Sequence, residues 1–358
     1  MLQALYGPAV PGLRTAYGLS PAGAGLGLSL HFTGGVAGVL LFNVVHARIS
    51  NSALLAGSYG LMAAGAAGFA LAPAWPLALA CAFLGGLGFG GLDYGLNQLF
   101  AVGFGDRSTA MLNVLNAHFG IGAVLGPAVV AWAGPEHYTW AFGGSAALAA
   151  LLVAGGARGV RTRPPEEGTA PAAPGRPGVL LGFLALYILN VAVEAGVGGW
   201  EPTHLETVGY GSAVAASATS VYWLMLTAGR FLVVPLTLRH SPERILTVCT
   251  AGMTACLLLA LVRPLAPVAY AGVGLFIAPV FPTGLPWLNR ALPGARRAGA
   301  WVIAASMTGG VAAPPLLGLG IEASGIHAVP WLLTALSAAS LLPTVGLIRL
   351  TRATAPPS

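Results

Sequence analysis

Lysine is absent from this chain of 358 residues, and charge of either sign is scarce, since only 7% of the residues are charged. A soluble domain carries about 25% charged residues. Cysteine occurs only three times, inside apolar runs and without the spacing of metal ligands, so it indicates neither a metal site nor a redox compartment. With 56% hydrophobic residues and a mean hydropathy of +0.80, the composition is that of an integral membrane protein.

The formal net charge of +6 does not indicate a nucleic-acid partner, because the arginines fall in short loops between apolar runs. An enzyme is not expected either. The sequence offers no nucleophile–base pair at a plausible spacing, no metal-ligand cluster and no soluble catalytic domain. No cofactor is expected, and the partners predicted from composition are the bilayer and a small-molecule solute.

The chain divides into two sets of apolar spans. We predict an N-terminal helical bundle over 1–157, a cytoplasmic linker rich in proline and arginine over 158–178, a C-terminal bundle over 179–350 and a disordered tail over 351–358. Full-length spans are predicted at about 21–44, 52–72, 76–102, 109–133, 138–157, 179–200, 211–237, 244–262, 265–289, 298–320 and 328–349.

Arginine placement predicts the orientation. Thirteen of the sixteen arginines fall in the linker, in alternate loops and near the C-terminus. Only Arg14 and Arg263 fall on the other side, and the sixteenth, Arg230, lies within a span. Because basic loops stay in the cytoplasm, the linker and the C-terminus are predicted to be cytoplasmic, in a bacterial inner membrane.

The two halves repeat at a main offset of 191, which pairs His31-Phe32 with Tyr222-Trp223 and Ser50 with Ser241. A shorter offset of 188 pairs Gly122 with Gly310 and Pro127 with Pro315. The main offset maps the span 179–200 onto a segment beginning before Met1, so about half of helix 1 is expected to precede Met1. An eleven-span chain is the alternative. Two parallel six-helix halves form the plan of a transporter built from internal repeats.

The most informative stretch is GGLGFGGLDYGLN, from Gly85 to Asn97. Its six glycines are predicted to allow close helix packing, and they do not form a nucleotide site, because no strand precedes them. Asp93 and Asn97 share one helix face. Since an intramembrane carboxylate costs about 2.5–3.5 kcal/mol, Asp93 is our candidate for proton coupling, and a structural hydrogen bond is the alternative.

Helix 5 carries Asn113, Asn116 and His118. By rise per residue, Asn116 should lie at the depth of Asp93, where it could line a cavity or join two helices. His118 could relay protons or make an interhelical hydrogen bond. Asn113, Gly122 and Pro127 are assigned conformational or structural roles.

The second half adds Glu194 and Glu201, on one face of helix 7, and Arg230 on helix 8. Glu194 is predicted to contact substrate, with an ion pair as the alternative, whereas Glu201 is predicted to be solvated near the interface. Arg230 could snorkel or form a conformational ion pair. Four aromatic residues lie near polar ones in the sequence, namely Trp200, Tyr222, Trp223 and Trp287. Such rings suit the binding of a polyol, although they also anchor helices at membrane interfaces.

These motifs resemble the fucose permease-like branch of the major facilitator superfamily. GFGGLDYGLN is similar to a helix 4 pattern with an acid four residues before an asparagine, and LNVLNAHFGIG is similar to the helix 5 pattern. The helix 7–8 stretch with Glu194, Gly199-Trp200, Tyr222-Trp223 and Gly229-Arg230 matches a third pattern, and GLFIAPVFPT a fourth. The branch's other proton-linked acid belongs to the missing part of helix 1.

The resemblance implies two rocking bundles and proton-coupled uptake of a sugar or similar polar solute by a monomer. Asp93 and His118 would handle the proton, which comes from a gradient. Asn97, Asn116, Glu194, Tyr222, Trp223 and Trp287 would contact the solute. A proton-driven exporter of amphipathic compounds and a non-transporting sensor are the alternatives, the first because Gly122-x-x-x-Gly126-Pro127 partly matches an antiporter motif.

Overall fold

The computed structural model describes residues 1–45, 48–103, 108–159, 176–237, 239–292 and 296–352. All regular structure in these ranges is helical. The α-helices are α1 Leu2–Tyr17, α2 Pro21–Val45, α3 Asn51–Leu71, α4 Trp75–Gly103, α5 Ser108–Ala133, α6 Tyr138–Gly159, α7 Pro177–Thr207, α8 Ser212–Leu232, α9 Val234–Thr237, α10 Pro242–Leu259, α11 Ala266–Ile277, α12 Val280–Ala291, α13 Arg296–Ser324 and α14 Val329–Arg352.

Helices dominate because a bilayer leaves the backbone no water to bond with, and an α-helix satisfies its polar groups internally. Ten stretches of the described residues are long and apolar enough to cross a membrane. The predicted all-α membrane fold is confirmed. We call α1–α6 the N-terminal half and α7–α14 the C-terminal half.

Three predicted spans differ from the observed helices, each near a proline. Helix α7 runs on to Thr207, through Pro202, where the predicted span ended at 200. The single span predicted at 265–289 is two helices, with Ala278 and Pro279 between them. Proline lacks an N–H and crowds the preceding turn, so it can end a helix or be absorbed as a bend. The span predicted at 211–237 is likewise divided, between α8 and α9.

Most of the predicted linker, residues 160–175, lies outside the described residues, as do residues 353–358 of the tail. The division of the chain into the bundles 1–157 and 179–350 therefore stays a prediction.

The repeat is visible in the helix ends. The first residues of α2 and α8, of α3 and α10, of α4 and α11, and of α6 and α14 are all related by the main repeat offset. Ser50 caps α3 by accepting a hydrogen bond from the Ala53 N–H, and its repeat counterpart Ser241 caps α10 through the Arg244 N–H. This equivalence at the level of single hydrogen bonds confirms that the halves are repeats.

The turns follow the same register. Among the described residues, four glycines have positive φ, a conformation that a side chain disfavours. The main repeat offset relates them as two pairs, Gly18 with Gly209 and Gly134 with Gly325. Because consecutive spans alternate in direction, all four turns lie at the same end of the helices. We call this end the opposite face, because the linker between the two halves is at the other end, which we call the linker face.

Helices α5 and α13 show where the register changes. Their first residues, Ser108 and Arg296, are related by the shorter offset, whereas their last residues, Ala133 and Ser324, are related by the main one. The change arises because α13 has 29 residues and α5 has 26. Both offsets found in the sequence are thus present in the structure. The three extra residues of α13 fall after Pro315, which still pairs with Pro127 at the shorter offset.

The glycines of α4 pack it between α2 and α3, as predicted. A Cβ on Gly86 or Gly90 would overlap backbone carbonyl oxygens of α2, and one on Gly88 would overlap the Ser58 carbonyl of α3. Such backbone approaches replace the hydrophobic effect as the packing force inside a bilayer. They hold the α4 face that carries Asp93 against the rest of the N-terminal half.

Candidate functional site

Asp93 and Asn97 lie one turn apart on α4, and both are half-buried. The Asn97 side-chain amide donates to Asp93 Oδ1 at 3.0 Å and to the Asp93 carbonyl oxygen at 2.8 Å. The two contacts fix the direction of the carboxyl group and give its charged form a hydrogen-bond donor.

The face of α4 that carries Asp93 lies beside α2. Phe89, one turn earlier on that face, has its ring centroid 5.5 Å from that of His31. Phe89 also lies against Gly35, and the Met307 sulfur of α13 lies on the same side of Gly35. Asp93 is therefore one turn from a place where the N-terminal half meets the C-terminal half.

The second group of polar residues is in the C-terminal half, where α7 packs on α8. The Tyr222 hydroxyl donates to the Glu194 carbonyl oxygen at 3.4 Å, and the Tyr222 and Trp223 rings are 5.2 Å apart. Arg230, two turns beyond Tyr222, is close enough to Glu194 for their charges to interact, but the two make no ion pair within 4.0 Å. The Nε of Arg230 is buried without a hydrogen-bond acceptor among the described residues.

Trp223 connects this group to the other half. Its ring makes an edge contact with Phe119 of α5, at a centroid distance of 6.3 Å. One residue further along α5, a Cβ on Gly120 would overlap Thr227 of α8. The structure thus brings Glu194, Tyr222, Trp223 and Arg230 together beside α5.

Other predicted site residues lie elsewhere. His118 is exposed on the stripe of α5 that carries the exposed side chains of Ile121, Leu125 and Trp132, which is the pattern of a lipid-facing surface. Trp287 is buried inside the C-terminal half against Phe183, with ring centroids 5.2 Å apart. Neither placement brings the residue to Asp93 or to Trp223.

The remaining predicted residues are on α5. The side chains of Asn113 and Asn116 are outside the described part of the structure, so their roles stay predictions. Gly122 lies against Met1, and Gly126 lies against Met1 and Leu5. Pro127 is buried directly after this contact. The Gly-x-x-x-Gly-Pro segment therefore packs α5 onto α1.

The two halves close on each other toward the opposite face. A Cβ on Gly7 of α1 would overlap the Gly198 carbonyl oxygen of α7, and one on Gly318 of α13 would meet Ala22 of α2 at 2.5 Å. The Ala22 N–H donates to Glu322 at 3.0 Å, and the Ser29 hydroxyl donates to the Val311 carbonyl oxygen. Contacts between α2 and α13 extend inward to Phe32 and Gly310.

Prolines expose the carbonyl groups used in this closure. A helical carbonyl is normally bonded by the N–H four residues later. Pro315 has no N–H, so the Val311 carbonyl is free to accept from Ser29. Pro202 frees the Gly198 carbonyl in the same way, and there the Cα–H of Gly7 points at the oxygen. The repeat counterpart of Pro202 in α1 is Pro11.

Sequence reasoning missed one buried histidine and misplaced one acid. His31 is 0% exposed, and neither ring nitrogen makes a hydrogen bond of ordinary geometry to a described residue. Glu201, predicted to be solvated, is also 0% exposed. The prediction was wrong because α7 continues past Pro202, which places Glu201 inside the helix and not at its end. The one-face spacing of Glu194 and Glu201 was the available signal.

Comparison with known proteins agrees with this architecture. A family model described as Major Facilitator Superfamily matches residues 1–186. No curated protein matches the chain. The fold is similar to a partially occluded, inward-open xylose transporter XylE from E. coli, with a TM-score of 0.78, 13% identity, and coverage of 99% of this chain and 95% of that one.

Two further solved structures are similar over nearly their whole length. A variant of the nucleoside transporter NupG gives a TM-score of 0.76 at 16% identity, covering 98% of this chain and 97% of that one. A variant of the E. coli fucose:proton symporter FucP gives 0.60 at 17% identity, covering 96% of each chain. At these identities the likeness shows the fold. Since the family model covers more than half of the chain, the protein belongs to the major facilitator superfamily.

Proposed function

We propose that this chain is a secondary transporter that moves a small polar solute together with protons by alternating access. A sugar is the solute that we propose. The observation that carries the proposal is the carboxyl of Asp93, half-buried inside an apolar span and held by Asn97 one turn from the boundary between the halves. Intramembrane acids are costly and are retained where they serve transport or coupling.

The solute class is supported by the second group. Trp223 and Phe119 place two aromatic rings near the carboxyl of Glu194 and the guanidinium of Arg230. Aromatic rings can stack on the C–H faces of a sugar while charged groups bond its hydroxyls. The solved structures of similar fold include a D-xylose–proton symporter, a fucose:proton symporter and a nucleoside transporter. Nucleosides therefore belong in the test panel.

Alternating access is supported by the closure at the opposite face. Ala22 lies at that face, at the start of α2, whereas Gly7 and Ser29 are each eleven residues from Gly18 in the turn between α1 and α2. The contacts with the C-terminal half therefore run from that face roughly 16 Å along the helices. With the linker in the cytoplasm, this structure corresponds to a carrier closed to the outside. His118 and Trp287 are left out of the proposed mechanism, because one lies on an exposed apolar stripe and the other in the core.

The test is solute-driven proton influx into proteoliposomes. A pH-sensitive dye is trapped inside, and hexoses, pentoses, polyols and nucleosides are added one at a time. We expect one class to acidify the interior. In Asp93→Asn this influx should vanish while exchange of labelled solute across the membrane continues, because exchange needs no net proton movement. Glu136→Gln, an exposed acid at the opposite face, serves as the control and should leave influx unchanged.

Two results would change the proposal. If no solute acts but a proton gradient expels a lipophilic cation, the protein is an exporter. If influx survives in Asp93→Asn, the protein is a symporter but the proton site lies elsewhere.

A further inference from the structure

The carboxyl of Glu201 is the least explained polar group in the described structure. The side chain is 0% exposed, and neither carboxylate oxygen makes a hydrogen bond of ordinary geometry to a described residue. A buried carboxylate without partners loses its hydration and gains nothing in return, so the uncharged, protonated acid is favoured.

In the described part of the chain, the polar groups nearest to the Glu201 carboxyl are hydroxyls. Thr219 of α8 lies within reach of the carboxyl, and its own hydroxyl is also buried without a partner. Tyr222 of α8 and Tyr270 of α11 lie close enough for the charge of Glu201 to act on their hydroxyls. Among the described residues, no Arg or His nitrogen forms an ion pair with the Glu201 carboxyl within 4.0 Å. An ion pair therefore does not account for this acid.

A chain of titratable groups leads from Glu201 toward the opposite face. The Tyr270 hydroxyl is 3.0 Å from His204 Nδ1, and His204 is 4% exposed. His327, in the exposed turn after α13, is near enough for its charge to act on His204. His204, Tyr270 and Glu201 come from α7 and α11, two helices that the fold packs together.

On its other side, Glu201 is connected through Tyr222 to the candidate solute site. Tyr222 lies within electrostatic reach of both Glu201 and Glu194, and its hydroxyl bonds the Glu194 carbonyl. Glu194 and Glu201 are seven residues apart, on one face of α7.

We propose that Glu201 is a second proton-binding site, in the C-terminal half, which exchanges protons with the opposite face through Tyr270 and His204. In one transfer, protonated His204 gives its Nδ1 proton to the Tyr270 oxygen as the Tyr270 hydroxyl proton moves to the Glu201 carboxylate. The imidazole becomes neutral, the tyrosine is unchanged, and the carboxylate becomes a carboxylic acid. The inference rests on the proposed proton coupling, but it concerns a different acid from Asp93.

The test is infrared difference spectroscopy of the reconstituted protein during changes of pH, in H2O and in D2O. A protonated carboxylic acid gives a carbonyl band that shifts in D2O and disappears when the proton leaves. Because Asp93 can give a band of its own, we expect a second band that titrates in the wild type, in Asp93→Asn and in Glu206→Gln, an acid five residues further along α7, but is missing in Glu201→Gln. Thr219→Val keeps the acid and should shift the frequency of the band.

The route is tested by the rate at which the band appears after a downward pH jump. His204→Gln and Tyr270→Phe should slow it by about 10²-fold, the usual contribution of a positioned proton-transfer group. His240→Gln, an exposed histidine near the linker face, should leave the rate unchanged.

The outcomes separate this inference from the transport proposal. If the band that remains in Asp93→Asn also persists in Glu201→Gln, or stays constant over the whole pH range in which the protein is folded, the site is overturned. Solute-driven proton influx together with a constant band would support the transport proposal and contradict the second proton site. A titrating Glu201 band without any solute-driven influx would support the second proton site and contradict the transport proposal.

Discussion

At Gly7 the side chain is a single hydrogen, and the backbone of the other half occupies the space that a larger group would need. The position of a Cβ would fall on the Gly198 carbonyl oxygen. Backbone cannot move aside as the end of a flexible side chain can. The contact therefore requires glycine on sterics alone, although the φ angle of Gly7 is that of an ordinary helix.

Gly7→Ala should lower stability, because one methyl group must separate α1 from α7. Overpacking of this kind costs about 1–3 kcal/mol. Gly57→Ala is the matched control, since no atom lies within 4 Å of its added Cβ. In a helix interior that change should stabilise by roughly 0.5–1 kcal/mol. Melting temperatures of the two purified variants in detergent should move in opposite directions, and an unchanged or higher melting temperature for Gly7→Ala would contradict the contact.

Single residues were predictable where the chemistry is local. The four-residue spacing of Asp93 and Asn97 is enough to place both on one helix face, and the structure joins them by a hydrogen bond. Glu201 was not predictable in this way, because whether Pro202 ends a helix or lies within it depends on what packs around it. The burial of His31 likewise depends on Tyr6 and Phe89, which come from two other helices.

Helix α13 is the element that carries most of the closure, and its two consecutive prolines make this possible. Pro315 leaves the Val311 carbonyl to Ser29 of the other half, while Trp200 donates to the Pro314 carbonyl at 3.1 Å and holds that turn against α7. A carbonyl that lacks its usual partner within the helix is thus part of the contact between the halves.

Pro315→Ala should weaken the closure. Alanine restores an N–H that bonds the Val311 carbonyl within the helix, so Ser29 must share its acceptor. We expect faster amide hydrogen exchange in the ends of α2 and α13 near the opposite face. Pro343→Ala, a proline inside α14, is the control and should leave exchange in α2 unchanged. Equal exchange in wild type and Pro315→Ala would show that Ser29 does not depend on the free carbonyl.

At the scale of elements, composition predicted the spans well because length and apolarity are what a bilayer selects. The positions at which helices are interrupted were harder to predict from the sequence. The division between α11 and α12 at Pro279 and the extension of α7 through Pro202 use the same residue type with opposite results. The difference lies in tertiary contacts, which one helix does not contain.

The whole molecule consists of two repeats with largely separate cores. One buried cluster gathers Phe183, Trp200, Tyr222 and Met253 from the C-terminal half, and another gathers Leu5, Phe69 and Phe142 from the N-terminal half. Between the halves, close backbone approaches involve small residues on both sides. Each half can therefore bury most of its apolar surface before the two associate.

Residues 1–157 and 177–358, expressed together as two polypeptides, should therefore assemble into a complex without a covalent linker. An affinity tag on one piece should retain the other through membrane extraction. Adding Gly7→Ala to the first piece should reduce the yield, whereas Gly57→Ala should not. Recovery of the tagged piece alone would mean that the linker region is needed for the halves to meet.

The crossing of α1 and α7 joins residues that are counterparts in the repeat, since the main offset relates Gly7 to Gly198. In a dimer with a two-fold axis, a residue near the axis touches the same residue of the partner. Gly7 and Gly198 reproduce that relation approximately within one polypeptide. At this crossing the surface between the halves therefore has the geometry of an isologous dimer interface.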